Sequence, residues 1–179
     1  PAKHRFPGAK YSLLMQYLES SGLMQNFLKY IPKPSLAEHL SIAHDTSYIH
    51  AIETGNLSRE QQARLGLPWS EILRQRSFIA PNGTLLAAQL ALQTGIACHA
   101  AGGTHHAHWD FGAGFCVFND LAYTAKALIE MGLARSVLIL DCDVHQGDGT
   151  ANILSNDSNI LTCSIHCAEN YPEKKAISD

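Results

Sequence analysis

The chain has 179 residues, of which 46% are hydrophobic and 16% charged, and a formal net charge of -3 at neutral pH. That length gives room for one domain with its own core, the acidic balance without any Lys/Arg cluster argues against direct nucleic-acid binding, and no tract reaches the roughly 18 uninterrupted apolar residues of a membrane span. Five cysteines, at positions 98, 116, 142, 163 and 167, fall mostly in apolar segments, and no hydrophobic leader opens the sequence, so the expected setting is a reducing, cytoplasmic one.

Residues 10 to 19 carry apolar side chains at helical spacing and stop before Ser21-Gly22, which predicts a surface helix. Pro32 and Pro34 break the next segment, and Asp45 is placed to cap a short helix from Thr46 to Glu53 that ends at Gly55. His39, His44 and His50 share no helix face and are expected to carry no function. From Asn56 to Phe78 the chain is polar and helix-prone, interrupted by Gly66 and Pro68, and reads as a connecting or rim segment. Asn82-Gly83 suggests a turn, with Thr84 capping a helix from Leu85 to about Ala97 that is apolar nearly all round and so should be buried.

Gly102-Gly103-Thr104-His105-His106 is the first unusual stretch. Two glycines permit close backbone approach or positive φ, and adjacent histidines can face one cavity only from an irregular loop. Phe111 to Asn119 then combines aromatic residues and glycines, enough for a narrow apolar wall. Asn119 or Asp120 caps an apolar helix, Leu121 to Met131, closed by Gly132.

The run Val137 to Leu140 is short, apolar and rich in β-branched residues, which predicts a strand buried on both faces. If the backbone stays extended, Asp141, Asp143 and His145 point to one side and Cys142 and Val144 to the other. Carboxylates and an imidazole then converge at the carboxyl end of a strand, where open α/β sheets bind their ligands. Side-by-side carboxylates in a crevice call for a proton or a cation, and mixed oxygen and nitrogen donors suit zinc or iron(II). A short helix through Ile153 and Leu154, a turn at Asn156 to Asn159 and a second buried strand, Ile160 to Ile165, complete a helix-strand-helix-strand order that implies parallel pairing through right-handed crossovers. Cys163 and Cys167 flank His166, but a closed four-ligand zinc site would need a second half that the sequence lacks.

These stretches together, with Gly114-Phe115-Cys116, Asn119-Asp120, Leu140 to Thr150 and Ser164-Ile165-His166, resemble the zinc-dependent histone deacetylase family, which also includes acetoin-utilisation and acetylpolyamine deacetylases. The likeness runs strongest from Ala80 to Cys167, more loosely through His4-Arg5-Phe6-Pro7 and His44-Asp45, and its wording is closest to the class IV branch. It implies an arginase/deacetylase-like α/β fold, a mostly parallel sheet flanked by helices, present in this chain as a single partial domain over residues 1–179. It further implies that Asp143 and His145 are metal ligands, that His105 and His106 handle protons, and that Asp141 and Asp148 orient them. Gly114 and Phe115 would line a substrate tube, and Asp141, Asp143, His145, Ser164 and Ile165 would supply a potassium site. The implied reaction is removal of an acyl group from a lysine- or polyamine-like amine by water activated at Zn2+ or Fe2+.

Two features of the family have no counterpart here: a third aspartate ligand and a late tyrosine. The expectation is therefore a fragment of a roughly doubled chain, with little hydrolysis of its own and an unpaired sheet edge that favours self-association. The competing readings are an arginase-type ureohydrolase, disfavoured because Gly147 stands where a second metal would want an aspartate, and a non-catalytic deacetylase-like binding module. The polar run Asn170 to Lys175 would replace an aromatic rim.

Overall fold

The computed structural model describes residues 5–177, so His4 of the opening motif lies outside the described residues. Seven α-helices and two strands follow in order: α1 (Lys10–Ser20), α2 (Ala37–Leu40), α3 (Thr46–Thr54), α4 (Arg59–Leu65), α5 (Glu71–Thr94), α6 (Asp120–Glu130), β1 (Val137–Asp141), α7 (Asp148–Leu154) and β2 (Ile160–Ser164), with a short 3-10 helix, Leu23–Asn26, after α1. Among the described residues no helix is long and apolar enough to cross a membrane.

Local chemistry sets most of the boundaries. The Asp45 carboxylate accepts from the Ser47 and Tyr48 amides at the start of α3, and Gly55 ends that helix in the left-handed conformation. Ser58 and Gln61 form a reciprocal capping box on α4. Asn119 accepts from the Ala122 amide and starts α6. The strands β1 and β2 pair in parallel, Val137 opposite Ile160 and Asp141 opposite Ser164, so both strands end at the same level. α6 packs on α5, α7 and β1, and the core between them is built from Leu40, Ile52, Phe78, Phe118, Tyr123 and Leu128 with neighbours of the same kind.

Three expectations need correction. α5 runs unbroken through Pro81-Asn82-Gly83, where a turn and a new cap were expected. Tertiary contacts outweigh the local signal: the Asn82 side-chain Nδ2 donates to the Lys33 carbonyl at 2.9 Å, and a Cβ on Gly83 would lie 2.6 Å from His99 Nε2, so the glycine serves close packing instead of a turn. The second half of α5 is not buried either, since Leu92 is 56% exposed and only one side of the helix meets α6. The strands are buried on one face, not two: Ile139, Ile160 and Thr162 point into the core while Leu138, Leu140 and Leu161 lie exposed on a face that no described residue covers.

His44 anchors this core from within. It is fully buried, its Nδ1 pairs with the His108 carbonyl at 2.9 Å, and its Nε2 accepts from the Asn119 amide at 2.8 Å. That acceptor role needs a neutral ring, and burial, only partly offset by the backbone contacts to His108 and Trp109, lowers its pKa to about 4. The unfolded chain therefore takes up a proton at this residue as pH falls below 6.5 while the folded chain does not, so stability present above pH 6.5 is lost progressively toward pH 4, on the order of 3 kcal/mol in all. Urea unfolding at stepped pH should show that loss in the native sequence and a flatter dependence in His44→Gln; equal slopes would contradict the assignment.

Candidate active site

The loop from Gly102 to His108 has no regular structure of its own and is held by a buried carboxylate. Asp120, fully buried at the start of α6, accepts from the Gly103 amide at 2.9 Å and the Thr104 amide at 2.7 Å. The Thr104 hydroxyl lies 2.6 Å from both Asp120 Oδ1 and the Phe118 carbonyl, and the Thr84 hydroxyl, itself bonded to His99 Nδ1 at 2.8 Å, donates to the other carboxylate oxygen. The two glycines play the two parts expected of them. A Cβ on Gly102 would come within 2.8 Å of Asp120, His99 and Thr84, and Gly103 sits at φ +86°.

Anchored in this way, the loop presents two adjacent imidazoles to one place, with ring centroids 4.1 Å apart. His105 Nδ1 pairs with Asp141 Oδ2 at 2.6 Å, and His106 Nδ1 with Asp148 Oδ1 at 2.6 Å. Both rings are buried, and so is Asp148 at the first turn of α7. Burial acts most strongly on His105 and against its charged form, but the Asp141 hydrogen bond and the nearby charges of Asp141, Asp143 and Asp148 outweigh it and leave its pKa above the ordinary histidine value. Burial alone would raise the pKa values of Asp141 and Asp148, yet their hydrogen bonds to His105 and to His106 and His108 prevail and hold both carboxyls below the usual range.

Asp143 and His145 reach the same spot, by a route other than the extended strand expected of them. β1 ends at Asp141, and the chain then folds through successive side-chain-capped turns: the Asp143 amide donates to Asp141 Oδ1 at 2.9 Å and the His145 amide to Asp143 Oδ1 at 2.8 Å. His145 Nδ1 lies 3.1 Å from Asp143 Oδ1, and His105 Nε2 lies 3.9 Å from the same oxygen. Two donors on one tetrahedral zinc ion are separated by about 3.3 Å, given bonds of about 2.0–2.2 Å, so the Asp143–His145 pair fits a shared cation. Among the described residues no group of three or more His, Cys, Asp or Glu side chains is set to hold a metal ion.

A Cβ on Gly114 would lie 2.6 Å from His106 Cδ2, and Gly114 and Phe115 take consecutive positive-φ conformations, +54° and +68°. For a residue as bulky as phenylalanine that is a rare backbone state, fixed here by the Phe115 amide donating to the Leu65 carbonyl at 2.9 Å. The structure also bears on the expectation that the polar run Asn170 to Lys175 replaces an aromatic rim. The Tyr171 ring meets His106 edge-on at 4.8 Å and His145 at 6.0 Å, so an aromatic surface does flank the histidines. At the expected potassium site, the Asp141 carbonyl accepts from the Ile165 amide at 2.8 Å and the Ser164 hydroxyl contacts His166 Nδ1 at 2.9 Å.

The model of the Histone deacetylase domain family matches residues 4–179. This chain belongs to the histone deacetylase domain family. An uncharacterised protein of Picosynechococcus sp. is 45% identical over all of this chain and 60% of its own length. The acetoin utilization protein AcuC of Staphylococcus aureus is 30% identical over 92% of this chain and 44% of its own, and histone deacetylase 2 of Arabidopsis thaliana 27% identical over 94% and 45%. In three dimensions, a histone deacetylase homologue in complex with SAHA aligns with a TM-score of 0.80 over 97% of this chain and 51% of its own, at 24% identity. The HD domain of HDA15 aligns at 0.73 over 92% and 48%, at 22% identity. The fold is thus the arginase/deacetylase-like α/β fold, and the chain spans about half the length of the relatives it matches.

Several residues around this deacetylase-family site carry no assigned role in the sequence reading. Asp120 enters it as a helix cap and as part of the Asn119-Asp120 motif, and His44 within the looser His44-Asp45 match, its spacing suiting no neighbouring histidine. His108 turns out to share Asp148 with His106, its Nε2 3.1 Å from Asp148 Oδ2, while stacking on Phe111. Truncating Asp120 tests the loop anchor directly. Asp120→Ala removes the fully buried carboxylate on which the Gly103 and Thr104 amides and the Thr84 and Thr104 hydroxyls converge, and should cost about 1–3 kcal/mol in urea unfolding. A loss below about 0.5 kcal/mol, the size of an ordinary surface change, would contradict the anchoring role.

Proposed function

We propose that this chain carries the proton-handling part and two metal donors of a metal-dependent amide hydrolase that removes an acetyl or related acyl group from a lysine- or polyamine-like amine. One observation carries the reading: two carboxylate-paired imidazoles converge on the place where Asp143 and His145 offer a donor pair. A zinc or iron(II) ion held by Asp143 and His145 would supply Lewis acidity toward water and the acyl oxygen. Asp141 and Asp148 would each accept a hydrogen bond from a histidine Nδ1–H, which leaves Nε2 as the basic position of both rings and fixes the tautomer.

One imidazole can then take a proton from attacking water at Nε2, while the other, entering the cycle as the imidazolium, gives its Nε2 proton to the leaving amine; the proton gained by the first restores the second. Positioned acid and base groups of this kind contribute about a hundred- to ten-thousand-fold in rate. Gly114 and Phe115 would line the tube for the acyl chain, and the Tyr171 ring beside His106 and His145 would add an aromatic surface to it. In this reading the oxygens of Asp141, Asp143, His145, Ser164 and Ile165 would supply a potassium site at the strand ends. Membership of the histone deacetylase domain family supports this class of reaction over the ureohydrolase alternative, as does Gly147 in place of a further carboxylate.

Residues 1–179 act in this reading as one partial deacetylase domain. Two protein donors hold a cation weakly, so these residues alone should hydrolyse acetylated amines slowly or not at all. Elemental analysis after loading with zinc, iron(II) or manganese tests the proposal. About one zinc or iron per chain, lost in His145→Ala, is expected. Two manganese ions per chain would favour a ureohydrolase, and none would leave a binding module for acylated amines.

A further inference from the structure

Gln146 follows His145 directly and is 3% exposed although its side chain is a primary amide. Both ends of that amide are used on one residue thirty positions away: Nε2 donates to the Ala176 carbonyl at 2.9 Å, and Oε1 accepts from the Ala176 amide at 2.8 Å. The side chain therefore pairs with Ala176 as the backbone of a neighbouring strand would. Ala176 lies in the irregular segment that follows β2. Near its start, the same segment is tied to the same turn by the Cys167 amide donating to the Val144 carbonyl at 3.0 Å. Between these two ties the segment carries Tyr171, a residue 42% exposed whose ring meets those of His106 and His145 in edge-type contacts.

A ring left that open gains little from burial, so packing alone gives it no fixed place. The buried amide pair is different, because an amide forced to give up both partners in a dry setting strongly favours the closed arrangement. We infer that Gln146 is a positioning residue that acts through Ala176 to hold the Tyr171 ring against His106 and His145. One turn then sets both the donor pair and the aromatic wall beside it. The consequence for an acyl substrate rests on the deacetylase reading above; the positioning itself does not.

The test uses two substitutions that break the pair from opposite sides. Gln146→Met keeps the length of the side chain and removes the amide, and Ala176→Pro removes the amide proton that Oε1 accepts and leaves the buried turn untouched. Tyr171→Leu supplies the reference state, without the ring. NMR of the His106 ring protons reads the shift that the Tyr171 ring imposes, and hydrogen exchange reads the segment. In both variants the His106 signals should move toward their Tyr171→Leu positions. In Gln146→Met, protection of the Ala176 amide should fall by about ten- to a hundred-fold, the loss of one to two hydrogen bonds, while α6 amides keep theirs. His106 signals that stay in place in either variant, or an Ala176 amide that stays protected in Gln146→Met, would overturn the inference. Neither readout involves metal or turnover, so a failed hydrolysis assay and a failed clamp are separate results.

Discussion

Neighbouring residues on a helix or strand point away from each other, yet His105 and His106 place their rings side by side and each finds its own carboxylate at 2.6 Å. Nearly everything else in the site follows from satisfying that demand. The loop must abandon regular structure, so its amides need another acceptor, which Asp120 provides from the start of α6. The carboxylates must come from elements that end at the right level, and Asp141 at the tip of β1 and Asp148 at the first turn of α7 do so. Asn119 closes the arrangement: its side chain caps α6 and donates to the Ala107 carbonyl and the Thr150 hydroxyl, tying the histidine loop to α7.

The electrostatics are consistent with this frame. A buried imidazole or carboxylate alone would shed its charge, but in the His105–Asp141 pair each partner stabilises the charged form of the other. Asp148 divides its two oxygens between His106 and His108. The two dyads thus differ in surroundings although they match in geometry, since Asp141 gives its second oxygen to a backbone amide in the Asp143 turn. The neutral His44 beneath them does the opposite work, linking His108 and Asn119 through a ring that must stay uncharged.

How far the sequence alone could be read depended on whether the cause was local. Asp45 and Gly55 around α3, Asn119 at α6 and the parallel strand pair were legible, because capping and apolar periodicity act within a few residues. The histidine pair and its carboxylates were legible through the resemblance to deacetylases, and the structure brings those residues together. The continuity of α5 was not, because the partners that override Asn82-Gly83 are Lys33 and His99. Nor was His44, whose contacts lie 64 and 75 positions away. Tyr171 was hidden by the polar residues around it, and the one-sided burial of the strands depends on which faces are covered, a property of the assembled layers.

The account turns on both rings donating from Nδ1 to a carboxylate and keeping Nε2 as the basic nitrogen. Nitrogen-15 NMR of the two imidazoles at neutral pH reads this directly through the proton coupling at each ring nitrogen. A persistent, strongly downfield Nδ1 proton on both His105 and His106, lost from the first in Asp141→Ala and from the second in Asp148→Ala, is the predicted result. Neutral rings protonated at Nε2, or signals indifferent to either aspartate, would contradict it.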